Sequence, residues 1–233
     1  MNDYRAFPEL IPRELIDRAA RLSAAQLCDG MNGLGLPNDG CLAWDILPVH
    51  DTMRVAGTAC TVQAEEGDNV PLQAAIYQAK PGYVIVVGGG GYDRRAYLGD
   101  LLAGAAEAIG IEGIVIDGYI RDKLGLQELG LPVFAKGYIQ RIPAKRGPGA
   151  INGEIQCGGI RVVPGDLVVG DCDGVTVVPR GRIEEVLERA EKKGAYELAR
   201  RKEIEEYRAC RTAGLPLPGL APDWLLELLD KNG

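Results

Sequence analysis

Between residues 54 and 135 the chain alternates short β-branched runs with helical stretches, and this alternation limits the fold more than any other feature. Residues 54–64 (RVAGTACTVQA) read as a strand whose small residues suit close packing. Asp68 and Asn69 can cap a helix with Pro71 in its first turn, which runs through LQAAIYQA until Lys80-Pro81-Gly82 stops it. Residues 83–87 (YVIVV) then form a buried strand, followed by a helix over 101–109, a strand over 113–116, a helix over 119–129 and a strand over 133–135. Upstream, residues 12–30 carry the helical spacing of one or two short helices. From residue 153 the texture changes to Val-rich segments separated by Pro-Gly-Asp and Asp-Gly turns, which indicates antiparallel hairpins. The fold class is therefore mixed α/β.

After Pro179 a densely charged stretch over 182–212 places Ile183, Val186, Leu187 and Ala190 on one face, as in one long helix broken or bent near Gly194. The tail LPLPGLAPDWLLELLDK is Pro-rich and then apolar around Trp224, and it packs either on a neighbouring subunit or on its own core.

Charge and composition exclude several functions. With 26 Lys plus Arg against 33 Asp plus Glu, the net charge of −7 argues against a nucleic-acid partner, which selects for basic surfaces. One histidine, His50, excludes intrachain metal sites built on two or more imidazoles, so any metal is held by oxygen. The N-terminal stretch MNDYRAFPELIPREL is charged and twice interrupted by proline, so no secretion signal is expected. Apolar runs stop at about five residues against the ~20 that a membrane helix needs. The six cysteines include no C-x-x-C pair, which suggests reduced, mostly buried thiols in a cytoplasmic protein.

Four glycines at 88–91 follow the 83–87 strand, but they run into Tyr92-Asp-Arg-Arg95 and lack the spacing of a dinucleotide fingerprint. They permit close approach of a ligand or of a neighbouring strand. The segment from Gly99 through Asp100, Leu101 and Leu102 to Gly110 opens an Ala-rich helix. Its first amides, those of Leu101 and Leu102, have no intrahelical acceptor and suit an anion such as a carboxylate. Alternatively, Asp100 simply complements the helix end. In IVIDGYIRD a buried strand ends at Asp117-Gly118, and Arg121-Asp122 sits in what reads as the first turn of the next helix. Arginine offers a fork of donors to a carboxylate, and aspartate offers a hard oxygen to magnesium or manganese. Lys136, Arg141, Lys145 and Arg146 are either a solvated loop or a selector of di- and tricarboxylates, while Asp171 and Asp173 read as hairpin-turn residues.

GDLLAGAAEAIGIEGIVIDGYIRD, then GLPVFAKG and VVPGDLVVGDCDGVTVVP, resemble the RraA-like family over roughly residues 20–180. That family contains ribonuclease E inhibitor proteins and class II pyruvate aldolases that cleave 4-hydroxy-4-methyl-2-oxoglutarate and 4-carboxy-4-hydroxy-2-oxoadipate. The resemblance implies a layered α-β-β-α sandwich of mixed sheets, swivelling-domain-like, over residues 1–180, with a C-terminal helical extension over 181–233 that packs between the subunits of a homotrimer or homohexamer. It implies that Asp122 ligates Mg2+ or Mn2+, that Arg121 clamps the oxo-acid substrate with the backbone of Gly99, Leu101 and Leu102, and that Asp100 holds metal waters and assists as base. Cleavage then releases pyruvate, and oxaloacetate decarboxylation is the expected side activity. Glu197 or Glu203 is the implied counterpart of a glutamate reaching a neighbour's site. One departure is Gly125, where the family pattern carries an acid. The rival reading is a non-catalytic protein-binding regulator resembling the ribonuclease E inhibitors.

Overall fold

The structure, a computed structural model, describes residues 2–231. In chain order its elements are β1 (Asp3–Tyr4), α1 (Arg13–Ala19), α2 (Ala24–Met31), β2 (Leu47–Pro48), β3 (Val55–Ala64), α3 (Val70–Gln78) and β4 (Tyr83–Ala96). Next come α4 (Asp100–Ile109), β5 (Gly113–Ile120), α5 (Lys123–Glu128), β6 (Val133–Tyr138), β7 (Gly149–Ile151), β8 (Ile155–Cys157) and β9 (Ile160–Val162). The chain ends with β10 (Leu167–Asp171), β11 (Gly174–Val178), α6 (Ile183–Ala213) and α7 (Asp223–Asp230).

β3, β4, β5 and β6 run parallel side by side, and β2 pairs antiparallel with β6. β7 joins β3 to the short β1, while β10 pairs antiparallel with both β3 and β11. β8 and β9 form a separate hairpin. Alternation along the parallel strands sends side chains to two buried faces. Ile85, Val87, Ile114 and Ile116 meet Leu72, Ile76, Ala103 and Leu126 of the α3–α5 layer. Val84, Val86, Val115 and Phe134 meet Ile155, Val162, Val168 and Val177 of the hairpin strands. Leu167, Val169 and Val178 then pack on Leu27, Met31, Val186 and Leu187 from α2 and α6. These three apolar interlayers give the order α-β-β-α.

Two strands run further than their apolar runs suggest. β4 continues through the glycines to Ala96 by way of a register shift between Val87 and Tyr92, with Gly90 and Gly91 at positive φ. At Gly89 a side chain would meet the Asp117 carbonyl and the Tyr97 ring, so the glycines serve the approach of neighbouring backbone. β5 continues past Asp117-Gly118 because Tyr119 and Ile120 pair with Gly137 and Tyr138 of β6. The helix read over 119–129 is accordingly only Lys123–Glu128. β1, β2 and β7 are too short to leave a pattern in the sequence. α6 is helical through Gly194 without the expected break, since one glycine costs a helix only about 1 kcal/mol relative to alanine.

The chain divides into two compact units, Met1–Ala190 and Glu191–Gly233. Ile183, Val186, Leu187 and Ala190 are core residues, so the first turns of α6 belong to the first unit. In the second unit Arg200 Nη2 donates to the Leu220 carbonyl, and Trp224, Leu226 and Leu229 are exposed. Among the described residues no helix is long and apolar enough to cross a membrane.

All six cysteines are free, yet only Cys60 and Cys157 are buried; Cys28, Cys41 and Cys210 are half-buried and Cys172 is exposed. Burial pushes the Cys60 thiol up to about 12 and raises that of Cys157 as well. Because it is exposed, Cys172 is expected to react rapidly with an aromatic disulfide reagent, and the buried Cys60 and Cys157, whose thiolates burial disfavours, only after denaturation. Mass mapping of the labelled native protein checks this; labelling of Cys60 at the rate of Cys172 would contradict the packing described.

Candidate active site

Two loops leaving adjacent parallel strands are joined by backbone hydrogen bonds. Tyr97 N donates to the Tyr119 carbonyl at 2.8 Å, and Arg121 N donates to the Leu98 carbonyl at 2.9 Å. The buried Tyr97 ring lies against Gly118, and its hydroxyl donates to the Gly89 carbonyl at 3.1 Å. The turn that starts α4 is thereby fixed beside the turn that starts α5.

Between them lies a cavity of about 180 Å³ lined by Gly99, Asp100, Leu101, Leu102, Arg121, Asp122, Asn69, Gln73, Ile142, Pro143 and Lys145. Arg121 and Asp122, only about a third exposed, contact each other at 3.2 Å from Nε to Oδ2. That contact lacks hydrogen-bond geometry, so Arg121 Nε is a buried donor without a hydrogen-bonding partner. Asp122 is not in a helical turn as the sequence suggested. It is the N-cap of α5 in the left-handed region, with φ 61° and ψ 47°, because β5 runs on to Ile120 and the chain must turn sharply there.

Gly99, Asp100, Leu101, Leu102, Arg121 and Asp122 all line this cavity, with one correction to the amides. Leu101 N donates to Asp100 Oδ1 at 2.7 Å, so the two amides are not equally open. Of the basic stretch, Lys145 reaches the cavity. Lys136 belongs to β6 and pairs instead with Asp45 at 2.7 Å and Asp117 at 3.5 Å. Gln73, which belongs to no motif, donates to Asn69 Oδ1 at 2.8 Å, and Asn69 read only as a cap. A helical periodicity check would place Asn69 and Gln73 on one face, four residues apart. Asp171 accepts from the amides of Ala24 and Asp173, as a turn residue does.

A larger cavity of about 870 Å³ lies among Phe7, Leu10, Ile16, Thr58, Tyr83 and Glu112. Size favours that one. Chemistry favours the smaller, where two carboxylates, a guanidinium, an ammonium and a helix's first turn face one space.

The donor set also fits a hard dication. Asp100 and Asp122 supply oxygen, with no thiol or imidazole among the lining residues, and magnesium characteristically takes one or two carboxylates and completes its shell with water. A Cβ placed on Gly99 would collide with Asp122 Oδ2, so the backbone leaves the carboxylate its position.

A family profile described as RraA-like, Aldolase/RraA, matches residues 24–177. The chain belongs to the RraA-like family. A relative from Halalkalibacterium halodurans, 44% identical over 172 residues and spanning 74% of this chain and 80% of its own, bears the name "Putative 4-hydroxy-4-methyl-2-oxoglutarate aldolase". Among solved structures, Streptomyces coelicolor RraAS2, described as an unusual member of the RNase ES inhibitor RraA protein family, superposes with a TM-score of 0.75 at 31% identity, over 83% of this chain and 98% of that one. A Pseudomonas syringae protein also gives 0.75 at 32% identity, over 88% and 93%. The RraA-like profile runs from the start of α2 into β11 and therefore covers both loops of the cavity.

Holding a non-glycine residue at positive φ stores about 1–3 kcal/mol at most sites, and less for aspartate. Asp122→Gly is therefore expected to leave folding stability unchanged or raise it by up to about 1 kcal/mol, whereas Asp122→Val should lower it by about 2 kcal/mol. Urea denaturation of both variants measures the difference, and equal stabilities would show that the turn is unstrained.

Proposed function

We propose that this RraA-like protein is a divalent-metal-dependent aldolase that cleaves a 4-hydroxy-2-oxo di- or tricarboxylate, such as 4-hydroxy-4-methyl-2-oxoglutarate, to pyruvate and a second oxo acid. The observation that carries this reading is the convergence of Asp100, Arg121, Asp122 and the first turn of α4 on one cavity. The name of the Halalkalibacterium halodurans relative supports the same substrate class.

In this reading Asp122 would hold Mg2+ or Mn2+ directly and Asp100 would hold it through waters. The chemistry such a cation supplies when bound is Lewis-acid stabilisation of negative charge on the 2-oxo oxygen. Arg121 binds the carboxylate of the pyruvate half through charge-assisted hydrogen bonds, with the Leu102 amide as a second donor. Cleavage of the C3–C4 bond moves its electron pair toward the 2-oxo group, and the C4 hydroxyl loses its proton. Asp100, the carboxylate on the cavity wall opposite Arg121's loop, takes that proton through a water. Protonation at C3 then gives pyruvate. Lys145 faces the same space and pairs with the distal carboxylate that distinguishes these substrates from simpler hydroxy-oxo acids. The same charge develops when oxaloacetate loses carbon dioxide, so decarboxylation is the side activity.

The protein acts as a homotrimer or homohexamer, a reading supported by the exposed apolar side chains of α7 in the second unit. Glu197 and Glu203 lie on α6 in that unit, and one of them is our candidate to complete a neighbour's site. A second reading, a non-catalytic regulator, is supported by the likeness to RraAS2. The cluster of two carboxylates and a guanidinium favours chemistry, since a surface that only binds protein has no use for it.

A coupled assay of pyruvate release, with Mg2+ or with chelator, tests the proposal. Arg121→Ala should lower turnover about 10²–10³-fold, the usual effect of removing one group that stabilises developing negative charge. Chelator should abolish turnover and added Mg2+ restore it. Turnover indifferent to chelator would eliminate the mechanism.

A further inference from the structure

Two glycines that face the cavity's carboxylates have no conformational reason to be glycine. Gly99 is extended, with φ −135° and ψ 176°, a conformation open to any residue. Gly125 lies inside α5, where glycine is disfavoured relative to alanine and no positive φ calls for it. Each is instead pressed by a carboxylate from the opposite loop. A Cβ on Gly99 would collide with Asp122 Oδ2 and come within 3.1 Å of Arg121 Nε. A Cβ on Gly125 would come within 2.6 Å of Asp100 Oδ2, 2.8 Å of Asp100 Cβ and 3.1 Å of Asp100 Cγ. Gly104, by contrast, sits in α4 with only a Leu129 methyl at 3.9 Å.

The arrangement is reciprocal. The α4 side carries Asp100 and a notch at Gly99 for Asp122, while the α5 side carries Asp122 and a notch at Gly125 for Asp100. We propose that Gly99 and Gly125 are positioning residues, an interlock in which each loop's missing side chain seats the other loop's carboxylate. The seat at Gly125 is the stricter one. Two of the atoms it would strike, Asp100 Cβ and Cγ, lie close to the backbone, so relief requires α4 and α5 to separate, not merely a rotamer change. The functional consequence of the interlock rests on the aldolase reading; the seating itself rests on geometry alone.

The test uses the full chain and two readouts that need no turnover: Mn2+ affinity by electron paramagnetic resonance, and melting temperature. Gly99→Ala and Gly125→Ala should each weaken Mn2+ binding about tenfold, the lower end of what loss of a ligand's supporting contacts costs. Gly104→Ala should leave Mn2+ binding unchanged and raise the melting temperature. Gly125→Ala should lower the melting temperature in the wild-type chain but not in an Asp100→Gly background, where the atoms it strikes are gone. A Gly125→Ala variant that gains stability as Gly104→Ala does and binds Mn2+ as wild type does would overturn the interlock. If wild type and Asp122→Ala bind Mn2+ equally or not at all, the metal-aldolase reading fails instead. The thermal cycle then decides the interlock by itself, with coupling between positions 100 and 125 sustaining it and additivity rejecting it.

Discussion

Two backbone hydrogen bonds hold together everything that makes this surface chemically interesting. Tyr97 N to the Tyr119 carbonyl and Arg121 N to the Leu98 carbonyl extend the pairing of β4 and β5 beyond the regular ladder, after a bulged stretch that could have let the strands diverge. A net backbone hydrogen bond contributes only about 1 kcal/mol. Its effect here is geometric: it brings α4's first turn and the Arg121-Asp122 turn to one cavity. Without it the two acidic motifs would be neighbours in sequence pattern and strangers in space.

The layered core makes this registration possible. β3 to β6 are buried on both faces, so a slip of one residue would exchange Ile85 and Val87 with Val84 and Val86 and mismatch two interlayers at once. The register at the C-terminal strand ends is thereby fixed by apolar packing far from the cavity. Open parallel sheets generally bind ligands at that end, where loops from adjacent strands can face one another. The acidic net charge of the chain is not carried into the cavity, where Arg121 and Lys145 balance Asp100 and Asp122 and the start of α4 adds partial positive charge.

The parts of this molecule that were legible in the sequence are those dictated by periodicity and by residue chemistry. Val- and Ile-rich runs marked the central strands, Asn69 and Pro71 marked the start of α3, and Gly110 marked the end of α4, where it adopts the left-handed cap. Asp100, Arg121 and Asp122 could be singled out because their side chains have few uses in combination. What was hidden depended on partners distant in the chain. β1, β2 and β7 are two or three residues long and exist only through pairing. β5 outruns its apolar stretch because β6 offers hydrogen bonds to Tyr119 and Ile120, and the left-handed turn at Asp122 follows from that extension. Lys136 looked like part of a basic loop, yet strand pairing puts it between Asp45 and Asp117. Gly125 read as a departure from a pattern; only the packing of α4 against α5 shows what presses on it.

The pairing of Arg121 with Asp122 would, in isolation, suggest that the guanidinium is already committed. Magnitudes argue otherwise. Both side chains are more than a third exposed or nearly so, and ion pairs in such settings contribute about 0–1 kcal/mol. A charge-assisted hydrogen bond from the same guanidinium to an incoming carboxylate, in a cavity from which water is partly excluded, contributes about 1.5–3 kcal/mol. Exchanging the first for the second is favourable, and Arg121 Nε begins without a hydrogen bond to give up. The Asp122 carboxylate released in that exchange retains its seat at Gly99, so binding of an anion by one residue of the dipeptide leaves the other placed for a cation. In the proposed reading, adjacent residues of opposite charge, held at a left-handed turn, would thus serve two ligands of opposite charge at once.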